Sequence, residues 1–254
     1  MWYGEVKNVD PVELKKLIYD EPISEEDLIL TLINLFKLGD FSLKPLLIQL
    51  MNHAEDEEVL QLCIQVFASI ATHDDIKNSD NFFFLPGASK DTLKTFTSHS
   101  SDFLSYEIMP YLLVLLEQLN DDKEADVMIR DALNEVIGYA EVLGEDVTFE
   151  DIGNYYLELE DCRSASYFYN QKPTFPGDLT KVLQQRAISA MHLNEPFHMI
   201  VIPSLLSIWS GIKCPVEHET IVNEQVVREI YNYTQTLSKM EWEIGKKYFY
   251  GHIV

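Results

Sequence analysis

The chain has 254 residues, 46% of them hydrophobic, with 42 acidic against 19 basic side chains and a net charge of −23. A chain this long and apolar buries a large core and is not disordered. Its charge repels nucleic acid and anionic lipid and draws basic proteins from a distance.

The charge is unevenly placed. Residues 171–254 balance at eight acidic and eight basic, so the whole excess lies ahead of residue 171, densest over 121–170 with 14 acidic to 3 basic. Cys63, Cys162 and Cys214 are odd in number, far apart and without a CxxC pair, as in a reduced intracellular protein. The opening residues lack the charged and apolar regions of a secretory signal. No apolar run reaches the roughly 18–20 residues of a membrane span. A cytoplasmic protein with no membrane association is expected.

Apolar residues recur at helical spacing nearly throughout, with no run of strict alternation, which predicts an all-α fold. Ser24 caps a helix over residues 25–38, with Asp27 at the capping-box position and Gly39 as its stop. Ser42 is the expected cap of the next helix, which carries Pro45 in its first turn. Residues 80–90, with Phe82-Phe83-Phe84-Leu85-Pro86-Gly87, break the pattern as an ordered loop pinned by its aromatics. Thr148 with Asp151 starts a helix that ends near Glu160. Residues 170–178, with Pro173, Pro176 and Gly177, form a second ordered loop at the charge boundary. It is a candidate lobe boundary within one domain spanning 1–254. The last helix is expected over 218–248, with a stripe of Val222, Val226, Ile230, Tyr233, Leu237, Met240, Ile244 and Tyr248.

An internal repeat appears at a shift of 65. Lys44-Pro45-Leu46-Leu47-Ile48-Gln49-Leu50-Met51 then lies on Met109-Pro110-Tyr111-Leu112-Leu113-Val114-Leu115-Leu116, and Asp56-Glu57 on Asp121-Asp122. A weaker third copy starts at Ile202-Pro203-Ser204-Leu205-Leu206. Each unit is a proline-bearing helix, a short turn and a second helix. This resembles the HEAT repeat and implies a single extended solenoid of helical hairpins. Pro110 and Pro203 are expected to kink their helices, in keeping with solenoid curvature.

One arrangement bears on catalysis. His73-Asp74 after an apolar helix, with His53 on the helix before, is similar to the metal-holding pair of HD-type phosphohydrolases. Asp126 or Asp131 would complete that shell. The competing reading is an ordinary helix end and turn. His192 and His198 straddle Pro196, and Glu217-His218-Glu219 suits a helix cap; neither group shows metal-ligand spacing. GxSxG, Walker A, GxGxxG and HExxH are absent. A non-enzyme with no cofactor and no metal is expected.

The surface is more informative. On a helix over 122–142 with Ile129 at its buried centre, the outer stripe reads Val127, Asp131, Asn134, Gly138 and Glu141, flanked by Glu124 and Glu135. Glu145, Asp146, Tyr155 and Tyr156 follow, amid Glu150, Asp151, Glu158, Glu160 and Asp161. Tyrosine mixed with carboxylates suits an interface with lysine or arginine. The alternative is a solvated acidic face whose aromatics belong to the core.

The Trp2-Tyr3-Gly4-Glu5 opening, the helical-repeat body and the size resemble all-α immunity proteins of bacterial polymorphic toxin systems. That resemblance implies a non-catalytic protein that occludes a cognate toxin domain, and the net charge points to a basic one and away from direct contact with nucleic acid. A HEAT-like scaffold binding a basic protein segment is the alternative from another class.

Overall fold

Most of the early helices begin where a short side chain can hold their free amides. In the computed structural model, which describes residues 2–4, 9–20, 23–119, 121–144, 147–159 and 165–254, α1 spans Pro11–Asp20 and α2 spans Glu25–Lys37. The Ser24 hydroxyl accepts from the Asp27 amide and donates to its carboxylate, as read from the sequence. α3 (Lys44–His53) and α4 (Glu57–Ile70) form a hairpin, with Asp56 accepting from the amides of Glu58 and Val59. α5 (His73–Lys77) opens on a Thr72–Asp75 capping box, and α6 (Lys90–Ser98) on Ser89.

The second hairpin pairs α7 (Met109–Gln118) with α8 (Lys123–Ile137), capped by Asp122. Two short elements follow: α9 (Ala140–Leu143), then α10 (Phe149–Glu158) behind the expected Thr148–Asp151 box. The balanced third of the chain contributes α11 (Pro176–Leu193), α12 (Val201–Ser210) and α13 (Glu224–Leu237). Among the described residues, no helix is long and apolar enough to cross a membrane.

The two hairpins reproduce the repeat seen in the sequence. Pro45 and Pro110 both sit in the first turn of their helices, and an aspartate caps each second helix. Pro110 therefore produces no kink: a first-turn amide has no helical acceptor to lose. Pro203, third residue of α12, is excused in the same way. Ser42 is also not the cap of α3. It lies in a 3-10 turn (Phe41–Leu43) that Asp40 caps. Along the array α2, α4, α6 and α8 pack each against the next, while α3 backs α4, and α7 backs α8 and α10. The third copy does not continue as a hairpin, since α11 packs against both α12 and α13.

The last helix is much shorter than expected. Asn223 caps α13 by accepting from the amides of Gln225 and Val226, and the helix stops at Leu237. Beyond it Gly245 adopts φ +74, and Tyr248 enters a hairpin of β3 (Tyr248–Phe249) and β4 (His252–Ile253). The apolar steps through Met240 and Ile244 mimic a helical stripe, but Ile244 is 69% exposed. A second small hairpin, β1 (Phe168–Tyr169) with β2 (Lys172–Pro173), occupies the loop expected near 170–178. Asn170 and Gln171 both take positive φ at its turn, as a two-residue hairpin with the twist of its strands requires.

One apolar cluster runs from Ile29 to Tyr250. At its centre Phe67, Phe82, Phe96 and Phe103 meet edge to face or tilted at 5.7–6.3 Å, each pair adding about 0.5–1.5 kcal/mol beyond burial. Phe82 and Phe84 supply the inward aromatics of the 80–90 loop, while Phe83 stays exposed.

The end of the chain is drawn back over its beginning. Trp2 stacks on Phe249 at 5.8 Å, and the Tyr250 hydroxyl both accepts from the Gly4 amide and donates to the Gly4 carbonyl. Lys247, wholly buried, reaches the carbonyls of Ala68, Ala71 and Phe103.

Candidate partner-binding face

α8 turns Ile129, Ala132, Leu133 and Ile137 into the core, which leaves Glu124, Val127, Asp131 and Glu135 exposed on its far side. Two basic residues nearby are committed within the fold. Arg130 pairs with Asp126 at 2.9 Å and donates to the Val147 carbonyl at 2.8 Å, which ties α8 to the approach of α10. Lys90 pairs with Asp122 at 2.5 Å. Glu124 also borders a cleft of about 170 Å³ between α6 and α8, with Lys90, Lys94, Leu119 and Met128 around it.

The expected single helix over 122–142 is broken. Gly138 takes φ +63 as the cap of α8, and its amide donates to Asn134. Asn134 is half-buried, and its side-chain oxygen accepts from the Ala140 amide, so it closes the helix end. Glu141 therefore rides on α9, exposed beside Val142 and Leu143. Of the expected tyrosines, Tyr155 is half-buried and Tyr156 is buried in the core. Glu145, Asp146, Glu160, Asp161 and Cys162 lie outside the described residues. Exposed apolar side chains also occur that the sequence reading did not announce: Val142 (62%) and Leu143 on α9 and, on α10, Leu157 (56%). Their signal was apolar residues out of phase with the buried stripe.

Glu135 is the electrostatically distinct member. Glu135 is exposed as a residue, yet its carboxyl is largely shielded from solvent beside Tyr169, Asp102 and Asp131. Burial of that carboxyl, with the neighbouring Asp102 and Asp131, raises its pKa, and the Ser101 hydroxyl beside it acts the other way. Tyr169 is in turn pushed up to about 12 by burial and by Glu135 and Asp102.

The histidine-aspartate arrangement is dismantled by the fold. His53 is exposed on α3. His73 stacks on Tyr167 at 4.3 Å, with Nδ1 2.7 Å from the Ser105 hydroxyl, on one wall of a 590 Å³ cavity. Burial, then the charge of Lys247, lowers its pKa, so its imidazole is neutral near pH 7. Ser105 is itself buried and accepts from the Glu107 amide, so this pair fastens α5 to the turn at Tyr106–Ile108. Among the described residues one group of three has its metal-ligating atoms close together, His198, His218 and Glu219, and neither His53 nor His73 belongs to it.

An all-α chain whose outward carboxylates are interspersed with exposed valine and leucine carries the ingredients of a protein-binding surface. Comparison with known families places it among the immunity proteins of toxin systems. Its sequence matches the profile of Immunity protein 47 over residues 1–254, and the chain belongs to that family. No curated protein and no solved structure matches it.

Proposed function

We propose that this protein neutralises a basic cognate toxin domain inside the producing cell by covering it, with the α8–α9 face as the contact surface. Family membership implies the toxin-neutralising role and a toxin as partner. The observations that support the choice of face are the exposed Glu124, Val127, Asp131 and Glu135 on α8 and the exposed Glu141 and Val142 on α9. Carboxylates in the densest acidic stretch speed encounter with a basic surface, and the desolvated valines hold the complex once formed. Tyr155 at the edge of α10 extends the face; Tyr156, held in the core, supports it from behind.

The chain acts on this reading as one domain, supported by the continuous apolar cluster and by the C-terminal segment returning to the N-terminal helices. Membership in an immunity family favours this role over a general scaffold for basic segments. The test is a combined Asp131→Lys, Glu135→Lys and Glu141→Lys variant assayed for binding to the cognate toxin domain. Weakened binding with a shallower salt dependence is expected. Unchanged binding at low and high salt would move the interface elsewhere.

A further inference from the structure

His198 and His218 are twenty positions apart in the chain, and the fold brings them together. The segment holding Pro196 pairs antiparallel with the one holding Ile221. The Phe197 amide donates to the Thr220 carbonyl and the Glu219 amide to the Phe197 carbonyl, both at 2.9 Å. Phe197 and Val216 are wholly buried and anchor the two segments, so the side chains of His198, His218 and Glu219 leave a fixed backbone on one side. Their ligand atoms all lie within 4.8 Å of one another.

We infer that His198, His218 and Glu219 form a binding site for a zinc-class divalent cation. The donor chemistry is specific: two imidazoles and a carboxylate suit zinc and its first-row neighbours, whereas magnesium and calcium prefer oxygen alone. The distances agree as well. Two ligands each about 2.0–2.1 Å from a tetrahedral zinc stand about 3.4 Å apart. Glu219 Oε1 lies 3.3 Å from His198 Nδ1 and 3.5 Å from His218 Nδ1, and the two rings are 5.5 Å apart between centroids. The Lys213 ammonium, five residues before His218, is paired with Glu217 at 2.8 Å.

Three protein ligands leave a fourth position open. All three side chains are exposed, so the ion loads directly from solvent, and His218 also borders a cavity of about 250 Å³ lined by Tyr3, Ile200, Ser204 and Cys214. Bound metal would staple the approach to α12 to the approach to α13, raising the stability of that third of the chain in proportion to ion occupancy. The site is remote in sequence from the acidic face and does not rest on the proposed toxin contact.

Calorimetric titration of the full chain with zinc chloride tests it. One equivalent should bind, and His198→Ala, His218→Ala and Glu219→Gln should each weaken binding by about tenfold or more, since even loss of an outer-shell partner costs that much. Undiminished affinity in all three variants overturns the site, as does absence of binding to the unaltered chain. A readout needing no substitution is modification by diethyl pyrocarbonate, followed residue by residue by mass spectrometry. Zinc should protect His198 and His218 but not His53, and equal reactivity with and without zinc would refute the assignment.

Discussion

The Lys247 ammonium donates to the Ala68 carbonyl at 2.6 Å, joining residues 179 positions apart. Ala68 belongs to the last turn of α4, and the amide that would normally reach it, that of Thr72, is taken by the Asp75 carboxylate. Ala71 and Phe103 offer the same cation two more carbonyls, at 3.3 and 3.2 Å. A buried lysine thus completes a helix C-terminus, where a cation is favoured, between the rings of Phe103 and Tyr167.

That placement gives stability a pH signature. Burial lowers the Lys247 pKa from 10.5 to about 7, against the pull of Asp102 and Asp75. Between those values the unfolded chain holds a proton that the folded chain has lost, so stability from this group rises with pH, by up to about 1.4 kcal/mol per unit. The desolvation penalty is complete below pH 7 and fully relieved near 10.5. Urea midpoints from pH 7 to 9.5 should therefore climb for the native protein relative to Lys247→Met. Parallel midpoint curves for the two proteins would show that Lys247 does not titrate in this range.

Tyr250→Phe removes both bonds to Gly4 while leaving the ring against Phe249. A loss of about 1 kcal/mol is expected, at the modest end for hydrogen bonds because Gly4 is exposed. Amide hydrogen exchange at Gly4 should accelerate in the same variant. Exchange as slow as in the native chain would mean that other contacts hold the opening segment.

Gly138→Ala should cost about 1–2 kcal/mol in thermal or urea unfolding, because φ +63 is strained for alanine and the new methyl would displace Gln171. Gln171 donates to the Ile137 carbonyl at 2.8 Å, so its displacement also frees the end of α8. Because α9 follows directly, toxin affinity should fall along with stability. A variant as stable as the parent would show that the helix end relaxes without strain.

Kinetics should separate the two ingredients of the proposed face. Asp131→Asn and Glu141→Gln should slow association by several-fold at low salt and have little effect on dissociation, as exposed rim charges do. Val127→Ala should do the reverse, raising the dissociation rate. Surface plasmon resonance at two ionic strengths distinguishes these patterns. Identical rate constants for all three variants would place the contact away from α8.

Local chemistry made part of this fold legible. Ser24 with Asp27, and Thr148 with Asp151, announce their helices through a hydroxyl and a carboxylate three positions apart, and both caps form. The α3–α4 and α7–α8 hairpins were readable because proline and aspartate mark equivalent turns. The end of α13 was not readable, since Met240 and Ile244 keep helical spacing while Trp242 instead turns its indole to donate to the Leu237 carbonyl. The break at Gly138 was hidden by a continuing apolar pattern through Ala140. His198 and Glu219 share no local motif. Only the pairing of two extended segments brings them together, and sequence spacing carries no trace of it.

The clasp formed by Lys247, Phe249 and Tyr250 also constrains the order of events during synthesis. The carbonyls of Ala68, Ala71 and Phe103 emerge from the ribosome long before the cation that satisfies them. The N-terminal hairpins must wait, incompletely sealed, until residue 247 has been made. A product truncated before residue 247 would therefore lack more than its missing residues: it would also leave these three carbonyls without their donor.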